Sequence, residues 1–546
     1  MSQIENILIQ AIKDAVNAVY HSENIDSLVM VEIPKDQTKG DYSTNISMRL
    51  AKQLKTKPID IANSLVNELK CESVDKIEVA MPGFINFWMK KDALADVINL
   101  VLDADEHYGE NNSGNHKRVL LEYVSANPTG ILHLGHARGA AWGDSVARLM
   151  KASNYDVTRE YYINDAGNQM NMLALSLYER YKEAFGLDFK LPDDGYHGQD
   201  VKNIALEIKK NHGDKWLNVS KEEALSFMKE EGRRLEIERI KNDLDYYRCE
   251  FDSWVSEQKI VDEDRVNKVM KDMTDKGLTY ESEGAIWFKS SQYGDDKDRV
   301  LKKSDGFYTY LTPDIAYHMY KLERGYELLV DFLGADHHGY IARMKAAIES
   351  MGYSRNSLEI DIIQMVRLVE NGEEVKMSKR TGNAVTIREL CDDIGVDAAR
   401  YFFLSKALDT HMDFDLNLAR QKTNENPVYY AQYAYARICS ILRQAKEFKR
   451  QDNYTLLTDD KETTLLKHIS EFPSVVADSA LNRSPNKICN YIQKLAQYFH
   501  SFYSSNRVID DNNIKLTNER LALLSATKIT LKNALNYLGV DSPEKM

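Results

Sequence analysis

Apolar side chains follow two different spacings along this chain, and the changes between them predict where strands and helices lie. Residues 4–19 place apolar side chains at three- and four-residue steps, which predicts an amphipathic helix. Short apolar runs beside turns predict buried strands at 118–124, 157–163, 328–333 and 358–368. Charged helical segments occupy about 170–280, and the pattern is helical again from about 386 onward.

Strands that alternate with helices predict an α/β domain built on one doubly wound parallel sheet. We therefore divide the chain into four parts. They are an α+β N-terminal domain at 1–113, a Rossmann-like domain at 114–385 with a helical insertion at about 170–290, a helical connector at 386–420 and an all-α bundle at 421–546. In the first part, Pro82 and Gly83 separate two predicted strands.

Charge and composition narrow the class of protein. The net charge is −13, but residues 421–546 hold 17 basic and 13 acidic residues, so this part carries +4 and the remainder −17. The mild basic bias indicates where RNA could bind, although a solvated helical face has the same bias. Five cysteines without C-x-x-C spacing fit a reducing cytoplasm. We expect no signal peptide and no membrane-spanning segment.

The stretch from Leu120 to Met150 carries the first candidate chemistry. An apolar run ends in a polar turn, and His133-Leu134-Gly135-His136 follows where a helix is predicted to begin. Free backbone N–H groups at a helix start favour phosphate binding, and glycine lets a flat ring approach the backbone. The alternatives are a helix start with two satisfied histidines and a zinc site, which the lack of a third nearby ligand disfavours.

A second motif, Lys376-Met377-Ser378-Lys379, follows the last predicted strand of the same domain. Alone it could be an exposed basic loop. In this order, however, the two motifs resemble the HIGH and KMSK signatures of class I aminoacyl-tRNA synthetases, which activate an amino acid with ATP. The resemblance implies His133, His136, Lys376 and Lys379 as catalytic residues and Gly135, Gly334, Asp336, Met377 and Ser378 as ATP-binding residues. It also implies Mg²⁺ that travels with the nucleotide, and no structural metal.

The chemistry of such a reaction accounts for the residue types. A carboxylate attacks the α-phosphorus of ATP and pyrophosphate leaves, so positioning and charge stabilisation replace a general base. Histidines at a helix start can donate hydrogen bonds to phosphate oxygens, and lysines bring positive charge to the leaving group. Gly372 and Gly382 flank the lysines in a loop that could close over ATP.

Further segments resemble arginyl-tRNA synthetases of the bacterial type, and the similarity covers essentially the whole chain. They are residues 125–130 (SANPTG), 162–167 (YINDAG), 310–317 (YLTPDIAY), 334–340 (GADHHGY), 426–430 (NPVYY) and 542–546 (SPEKM). The implied reaction joins L-arginine to the terminal ribose of tRNA(Arg), giving arginyl-tRNA, AMP and pyrophosphate. The resemblance also implies a monomer that needs bound tRNA even for activation of arginine.

The arginine site implied by this resemblance is acidic. Glu122 and Asn127 match positions that hold the α-amino end, Asp314 and Tyr310 lie on the guanidinium side, and His337 reaches the pocket. A guanidinium presents a rigid fork of donors and favours carboxylates in its plane. Glu122 could instead cap a strand end, and Asp314 could cap a helix N-terminus.

Contacts with tRNA are implied at two places. Phe84 and Asn86 match positions that contact the D-loop, where stacking and an amide suit a splayed base. Tyr433 and Arg437 in the bundle are candidates for anticodon contacts by stacking and cation–π interaction. Alternatively, Phe84 and Asn86 belong to a buried strand pair, and the side chains of the bundle pack in its core.

Two other functions remain as alternatives. A non-catalytic RNA-binding protein would need neither the histidines nor the lysines. A synthetase for cysteine is disfavoured by the missing zinc ligands, and one for glutamate by the acidic pocket. We therefore expect a cytoplasmic enzyme that acts on arginine, ATP and tRNA(Arg) without a membrane partner.

Overall fold

The N-terminal part of the chain folds around its own apolar core. A computed structural model describes residues 3–21, 25, 28–34, 36–335, 338–375, 385–445 and 449–546. The elements are α1 (Gln3–Tyr20), β1 (Tyr42–Thr44), α2 (Ile46–Leu54), α3 (Pro58–Glu68), β2 (Val74–Ala80), β3 (Phe84–Met89), α4 (Lys91–Ala95) and α5 (Val97–Ala104). Strand β3 lies between β1 and β2 and is antiparallel to both, so the two predicted strands around Pro82 and Gly83 are confirmed.

A five-stranded parallel sheet forms the centre of the molecule, in the order β11–β10–β4–β5–β6. The elements of this part are β4 (Arg118–Glu122), α6 (Leu134–Ala152), β5 (Asp156–Ile163), α7 (Asn168–Ala184), α8 (Gln199–His212), α9 (Lys221–Tyr246), β6 (Ser253–Ser256), α10 (Glu257–Asp262), α11 (Arg265–Asp275), β7 (Thr279–Ser282), β8 (Ala285–Phe288), β9 (Arg299–Lys302), α12 (Leu311–Glu323), β10 (Leu328–Gly334), α13 (His338–Ser350), β11 (Leu358–Ile363), β12 (Val366–Glu370) and β13 (Glu373–Glu374). The prediction of a doubly wound α/β sheet is confirmed.

The two faces of the sheet are covered by different helices. Successive side chains of a strand point to opposite faces, so Val119 and Leu121 enter the core that contains α6. Leu120 and Leu329 enter the core on the other face, with α11, α12 and α13. On that second face the next inward positions are Glu122 and Asp331, so the apolar face becomes acidic towards the carboxyl ends of the strands.

One strand of the sheet lies inside the segment that we expected to be helical. Helices α7, α8 and α9 do form a helical insertion with its own core, but β6 pairs with β5 and extends the main sheet. It is only four residues long and its side chains are mostly half-buried, so it carries no clear alternation between its charged neighbours. The helical pattern around it therefore concealed it.

The predicted strand at 358–368 is two strands. β11 belongs to the main sheet, whereas β12 pairs with β13 and with β14 (Met412–Asp415). Strand β14 also corrects the expectation of an entirely helical chain after residue 386. It lies among α14 (Ile387–Ile394), α15 (Val396–Leu404) and α16 (Leu416–Arg420). Apolar residues lie on both sides of Gln364, at Ile363 and at Met365, so periodicity could not show where the chain leaves one sheet for another.

The last part of the chain is a helical bundle, as predicted. It contains α17 (Pro427–Gln444), α18 (Asp460–Ser470), α19 (Phe472–Leu481), α20 (Asn486–Ser505) and α21 (Ile514–Tyr537). Its apolar core is continuous with the core beneath α6, which seats the bundle firmly on the central domain. Among the helices described, none is both long and apolar enough to cross a membrane. All five cysteines are free thiols.

Candidate active site

Acidic side chains gather at the carboxyl edge of the parallel sheet. Asp331 of β10 pairs in register with Glu122 of β4, and Glu122 pairs with Glu160 of β5. Paired residues share a face, so the three carboxylates form a row beneath α12. The carboxyl edge of an open α/β sheet is where such folds bind ligands.

The turn after β4 is strained. Val124 and Ser125 have φ angles of +69° and +38°, a region that β-branched residues rarely adopt. The Ser125 hydroxyl holds the turn, because it donates to Glu122 over 2.9 Å and accepts from the backbone N–H of Tyr162 over 3.1 Å. The turn directs the chain from the acidic row to the start of α6.

The two histidines of the first motif cap α6 with one ring nitrogen each. His133 is the N-cap residue, and its Nδ1 accepts from the N–H of Gly135 over 3.1 Å. The Nδ1 of His136 accepts from the N–H of His133 over 3.2 Å. Burial lowers the pKa of His133, and burial together with His133 lowers the pKa of His136 to about 4. Both rings are therefore neutral at pH 7 and carry their proton on Nε2, which makes each Nε2–H a hydrogen-bond donor.

Gly135 is required by the ring of His133. A Cβ at position 135 would lie 3.0 Å from Cε1 of His133, tighter than ordinary packing. The ring that lies close to the backbone of Gly135 is therefore that of the neighbouring histidine, and the contact of Gly135 with ATP stays a prediction. A cavity of about 370 Å³ lies beside His133, between Thr386 and loop 195–198.

The segment that follows the lysine motif is tied to the histidine motif. The N–H of Leu134 donates to the carbonyl of Val385, and the N–H of Ile387 donates to the carbonyl of Leu132, both over 3.0 Å. On the other side, the N–H of Val375 donates to Leu368 over 2.9 Å. The predicted residues between these two anchors, Lys376, Met377, Ser378 and Lys379, lie outside the described residues.

Buried Arg138 also connects the start of α6 with the segment that leads to the lysine motif. Its fully buried guanidinium donates to the carbonyls of Gln364 and Thr410 over 2.9 Å and to that of Ala407 over 2.7 Å. These carbonyls lie beside β12 and β14, so the first turns of α6 and the sheet that leads to residue 375 are held in one rigid unit.

The acidic row is neutralised by helix α12. Buried Lys321 forms ion pairs with Glu122 and Asp331, and the Nε2 of His318 lies 2.8 Å from Asp331. Arg324 pairs with Glu160 over 2.6 Å. Although burial opposes ionisation, Lys321 and His318 hold the pKa of Asp331 well below its usual range. Against burial, Arg324 and Lys321 also lower the pKa of Glu160, whereas burial outweighs Lys321 at Glu122 and raises its pKa. The three carboxylates are members of one buried network.

Two other carboxylates at the same edge make no such pairs. Within the described residues, the carboxylates of Asp314 on α12 and Glu257 at the start of α10 have no hydrogen bond or ion pair, and Oε2 of Glu257 is buried. Burial raises the pKa of Asp314 to about 6. Burial, followed by the charges of Asp314 and Asp165, raises the pKa of Glu257 to about 7. The buried hydroxyl of Tyr162 beside them is also without a partner there. Such a group of orphaned acceptors is suited to a cation with several donors.

The remaining residues of the predicted arginine site differ in placement. Glu122 is 8% exposed and is already bound by Lys321 and Ser125 at the end of β4. Asn127 is exposed in the turn that follows. Tyr310 is the N-cap residue of α12 and is 94% exposed, so the alternative of Asp314 as the N-cap is wrong.

Gly334, predicted to contact ATP, ends β10 at the carboxyl edge. Asp336 and His337 follow it in the sequence and lie outside the described residues.

The two predicted RNA-contacting regions also differ. Asn86 is 5% exposed in the central strand β3, as the alternative of a buried strand pair predicts, whereas Phe84 is half-buried at the start of that strand. Tyr433 is 39% exposed, and its ring stacks at 5.9 Å on that of His500. Tyr429 also stacks on Tyr433, and the guanidinium of Arg437 lies over the ring of Tyr503 and donates a hydrogen bond to its hydroxyl.

Lys321 and Glu257 are two of the residues at this site that the sequence did not indicate. Lys321 lies seven residues after Asp314, on the same face of α12, and this helical spacing could have revealed it. Glu257 follows a strand that was itself missed, so nothing local indicated that its side chain reaches the carboxyl edge.

Models of three families match nearly the whole chain. The model described as "Arginyl tRNA synthetase N terminal domain" matches residues 3–89. The model described as "tRNA synthetases class I (R), catalytic domain" matches 97–437, and "DALR anticodon binding domain" matches 431–546. The first two ranges are separated by α4, which joins the N-terminal part to the central one.

Individual proteins match over the same length. The arginine–tRNA ligase of Bacillus subtilis is 51% identical over 551 residues, which covers 100% of this chain and 99% of the relative. Arginine–tRNA ligase 1 of Halalkalibacterium halodurans is 50% identical over 550 residues, covering 100% and 98%. A solved structure assigned to the arginyl-tRNA synthetases, from Campylobacter jejuni, has a TM-score of 0.78 and 37% identity, covering 84% of this chain and 100% of that one. The Thermus thermophilus arginyl-tRNA synthetase shares the fold, with a TM-score of 0.77 at 21% identity and full coverage of both chains.

Proposed function

The chain belongs to the arginyl-tRNA synthetase family, and from this membership we propose how its residues divide the reaction among themselves. The reaction uses ATP to activate L-arginine and transfers the arginyl group to tRNA(Arg). One observation carries our assignment of roles. It is the pair of carboxylates, Asp314 and Glu257, that lies at the carboxyl edge without partners among the described residues.

In our proposal the guanidinium group of arginine enters between these two carboxylates. A rigid fork of N–H donors matches two carboxylates and the orphaned Tyr162 hydroxyl better than an aliphatic or acidic side chain would. The exposed ring of Tyr310 covers the group from outside, and His337 completes the pocket. The α-amino group binds Asn127 and the remaining lone pairs of Glu122, whose oxygens can each accept a further hydrogen bond.

ATP binds with its phosphates over the start of α6. The Nε2–H groups of neutral His133 and His136 donate to phosphate oxygens as the arginine carboxylate attacks the α-phosphorus. Lys376 and Lys379, with Met377 and Ser378, stabilise the departing pyrophosphate. Gly135 keeps His133 in place, and Gly334 and Asp336 contact the ribose. Mg²⁺ accompanies the phosphates of ATP.

In the second step, the tRNA receives the arginyl group. Its terminal 2′-hydroxyl attacks the carbonyl carbon of arginyl-adenylate, and AMP leaves. We assign the D-loop contact to the 1–113 domain through Phe84, with Asn86 supporting the strand, and the anticodon contact to Tyr433 and Arg437 in the 421–546 bundle. The 114–385 domain, with its insertion, performs catalysis, and 386–420 connects the two. We propose a monomer that works in the cytoplasm, where its five free thiols persist.

An aminoacylation assay tests the assignment of substrate. The purified chain is incubated with ATP, total tRNA and one radiolabelled amino acid at a time, and charged tRNA is counted. We expect arginine alone to be attached, and Glu257→Gln to raise the KM for arginine at least tenfold while the KM for ATP stays within twofold. Equal effects on both KM values would remove Glu257 from the arginine pocket.

A further inference from the structure

Asp165 lies in the motif 162–167, and the proposed function gives this residue no role. We propose that Asp165 is a positioning residue for arginine recognition, because it fixes the first turn of α10 so that Glu257 faces the pocket. The inference rests on the proposed function, in which Glu257 binds the guanidinium group.

The contacts of Asp165 all lead to α10 or to the insertion. Its fully buried Oδ1 accepts from the backbone N–H of Gln258 over 3.0 Å, and the hydroxyl of Ser256 lies 2.8 Å from each carboxylate oxygen. Arg233 of α9 donates to Oδ2 over 3.0 Å. Glu257 lies between Ser256, the N-cap residue of α10, and Gln258, and Asp165 binds both, so the backbone of Glu257 is fixed on both sides.

The topology explains why this contact forms here. Ile163 pairs with Ser256, so β5 and β6 end side by side. Asp165 follows β5 by two residues, and Glu257 follows β6 by one. The Ser256 hydroxyl also accepts from the N–H of Lys259 over 3.3 Å, which joins the turn of α10 to the same carboxylate.

Asp165 affects the charge of Glu257 as well as its position. The titratable groups that face Glu257 in the described structure are Asp314 from α12, Tyr162 from β5 and Asp165 from the turn after β5. The negative charge of Asp165 contributes to the raised pKa of Glu257, after burial and Asp314. Removing that charge while keeping the shape should therefore lower the pKa of Glu257, which a purely structural role would not do.

The test is Asp165→Asn, measured by aminoacylation across pH 6 to 8.5. We expect the KM for arginine to rise about tenfold at pH 8, because the new amide places a donor against Arg233 or Gln258 and disturbs the turn. The KM for ATP should stay within twofold. The pH at which the arginine KM begins to rise should move to a lower value.

A matched control lies at the opposite end of the same strand pair. Asp252 also accepts from a backbone N–H and a guanidinium, both of Arg159, over 2.9 Å and 2.7–2.9 Å. Asp252→Asn should leave the arginine KM and its pH dependence unchanged. If Asp165→Asn does not fold, Ser256→Ala replaces it; that variant should raise the arginine KM about threefold without moving the pH profile, because the charge of Asp165 remains.

A double-mutant cycle separates this inference from the proposed function. In a Glu257→Gln background, Asp165→Asn should change the arginine KM less than twofold, since the side chain that it positions is already lost. A full tenfold effect in that background would overturn the inference, as would an unchanged KM and pH profile in Asp165→Asn alone. If Glu257→Gln itself leaves the arginine KM unchanged, the proposed role of Glu257 fails, and the positioning role fails with it.

Discussion

Two sets of carboxylates at the carboxyl edge of the sheet differ in one respect, which is whether the protein itself neutralises them. Glu122, Asp331 and Glu160 pair with cations of α12 and its end. Asp314 and Glu257 lie near each other at the same edge, and neither carboxylate has a partner among the described residues. The first set is bound by cations of the protein, although burial still raises the pKa of Glu122, whereas the second set has raised pKa values and no cation among the described residues.

The comparison shows that stability and ligand binding depend on different carboxylates at the same edge of the sheet. A buried carboxylate with an internal cation stabilises the fold only as long as that cation is present. A buried carboxylate without one destabilises the fold at neutral pH, and ligand binding offsets this cost. Variants of the two sets should therefore have opposite effects on stability and on the arginine KM.

The largest expected effect is the loss of Lys321. Lys321→Met leaves Glu122 and Asp331 buried and uncompensated, which should lower the free energy of unfolding by about 3–5 kcal/mol. Urea denaturation measures it. Lys268→Met is the control. Lys268 of α11 forms an exposed ion pair with Glu323 of α12, so this variant should lower the free energy of unfolding by less than about 1 kcal/mol. Equal losses of stability in the two variants would mean that the buried ion pairs of Lys321 contribute no more than the exposed ion pair of Lys268.

Asp314→Asn should raise the stability of the fold and weaken arginine binding, whereas Lys321→Met lowers the stability. Because the folded-state pKa of about 6 lies above the unfolded value, ionisation of Asp314 costs stability as the pH rises through 4 to 6. The neutral amide removes this cost, so the variant should be more stable at pH 7.5 by about 1–3 kcal/mol. The arginine KM should rise about 10- to 100-fold, because a charged hydrogen bond is lost. A destabilised variant with unchanged KM would place Asp314 in the first set.

The pH dependence of arginine binding is the third expected difference. The pKa values of Glu257 and Asp314 are raised to about 7 and about 6, so both carboxyls gain protons as the pH falls from 8 to 6. Protonated carboxyls do not pair with a guanidinium charge, and the arginine KM should rise about tenfold over that range. His136, with a pKa of about 4, stays neutral, so the ATP KM should change much less. Parallel changes in both KM values would contradict the assignment.

The same comparison explains what the sequence could predict. Glu122 and Asp314 were predicted because each lies in or beside a segment that resembles the family, Glu122 at the end of β4 and Asp314 in the first turn of α12. The sequence could not indicate that Glu122 is occupied by Lys321, because that ion pair joins residues 199 positions apart. Glu257 was missed because β6 has four residues and no clear alternation, and register alone brings its end beside β5.

The tautomer of the histidines was equally beyond sequence reasoning. The motif predicted two rings at the start of a helix, which the structure confirms. Which nitrogen carries the proton depends on the backbone N–H groups of Gly135 and His133, and their directions follow from the conformation of the cap. Sequence periodicity gives the face of a helix but not the hydrogen bonds at its end.

The smallest effect on the arginine KM should come from a pair of stacked tyrosines, one from each kind of environment. Tyr317 donates to Glu160 over 2.8 Å, and its ring stacks on that of Tyr162 at 4.2 Å, while the Tyr162 hydroxyl is buried without a partner in the described structure. Tyr317→Phe should lower the free energy of unfolding by about 1.5–3 kcal/mol and leave the arginine KM unchanged. Tyr162→Phe should keep or raise stability, because an orphaned hydroxyl is removed, and should raise the arginine KM about fivefold. Thermal unfolding and aminoacylation measure the two responses. If both variants lose stability equally and neither changes the KM, the unpaired groups of this pocket are not held for a ligand.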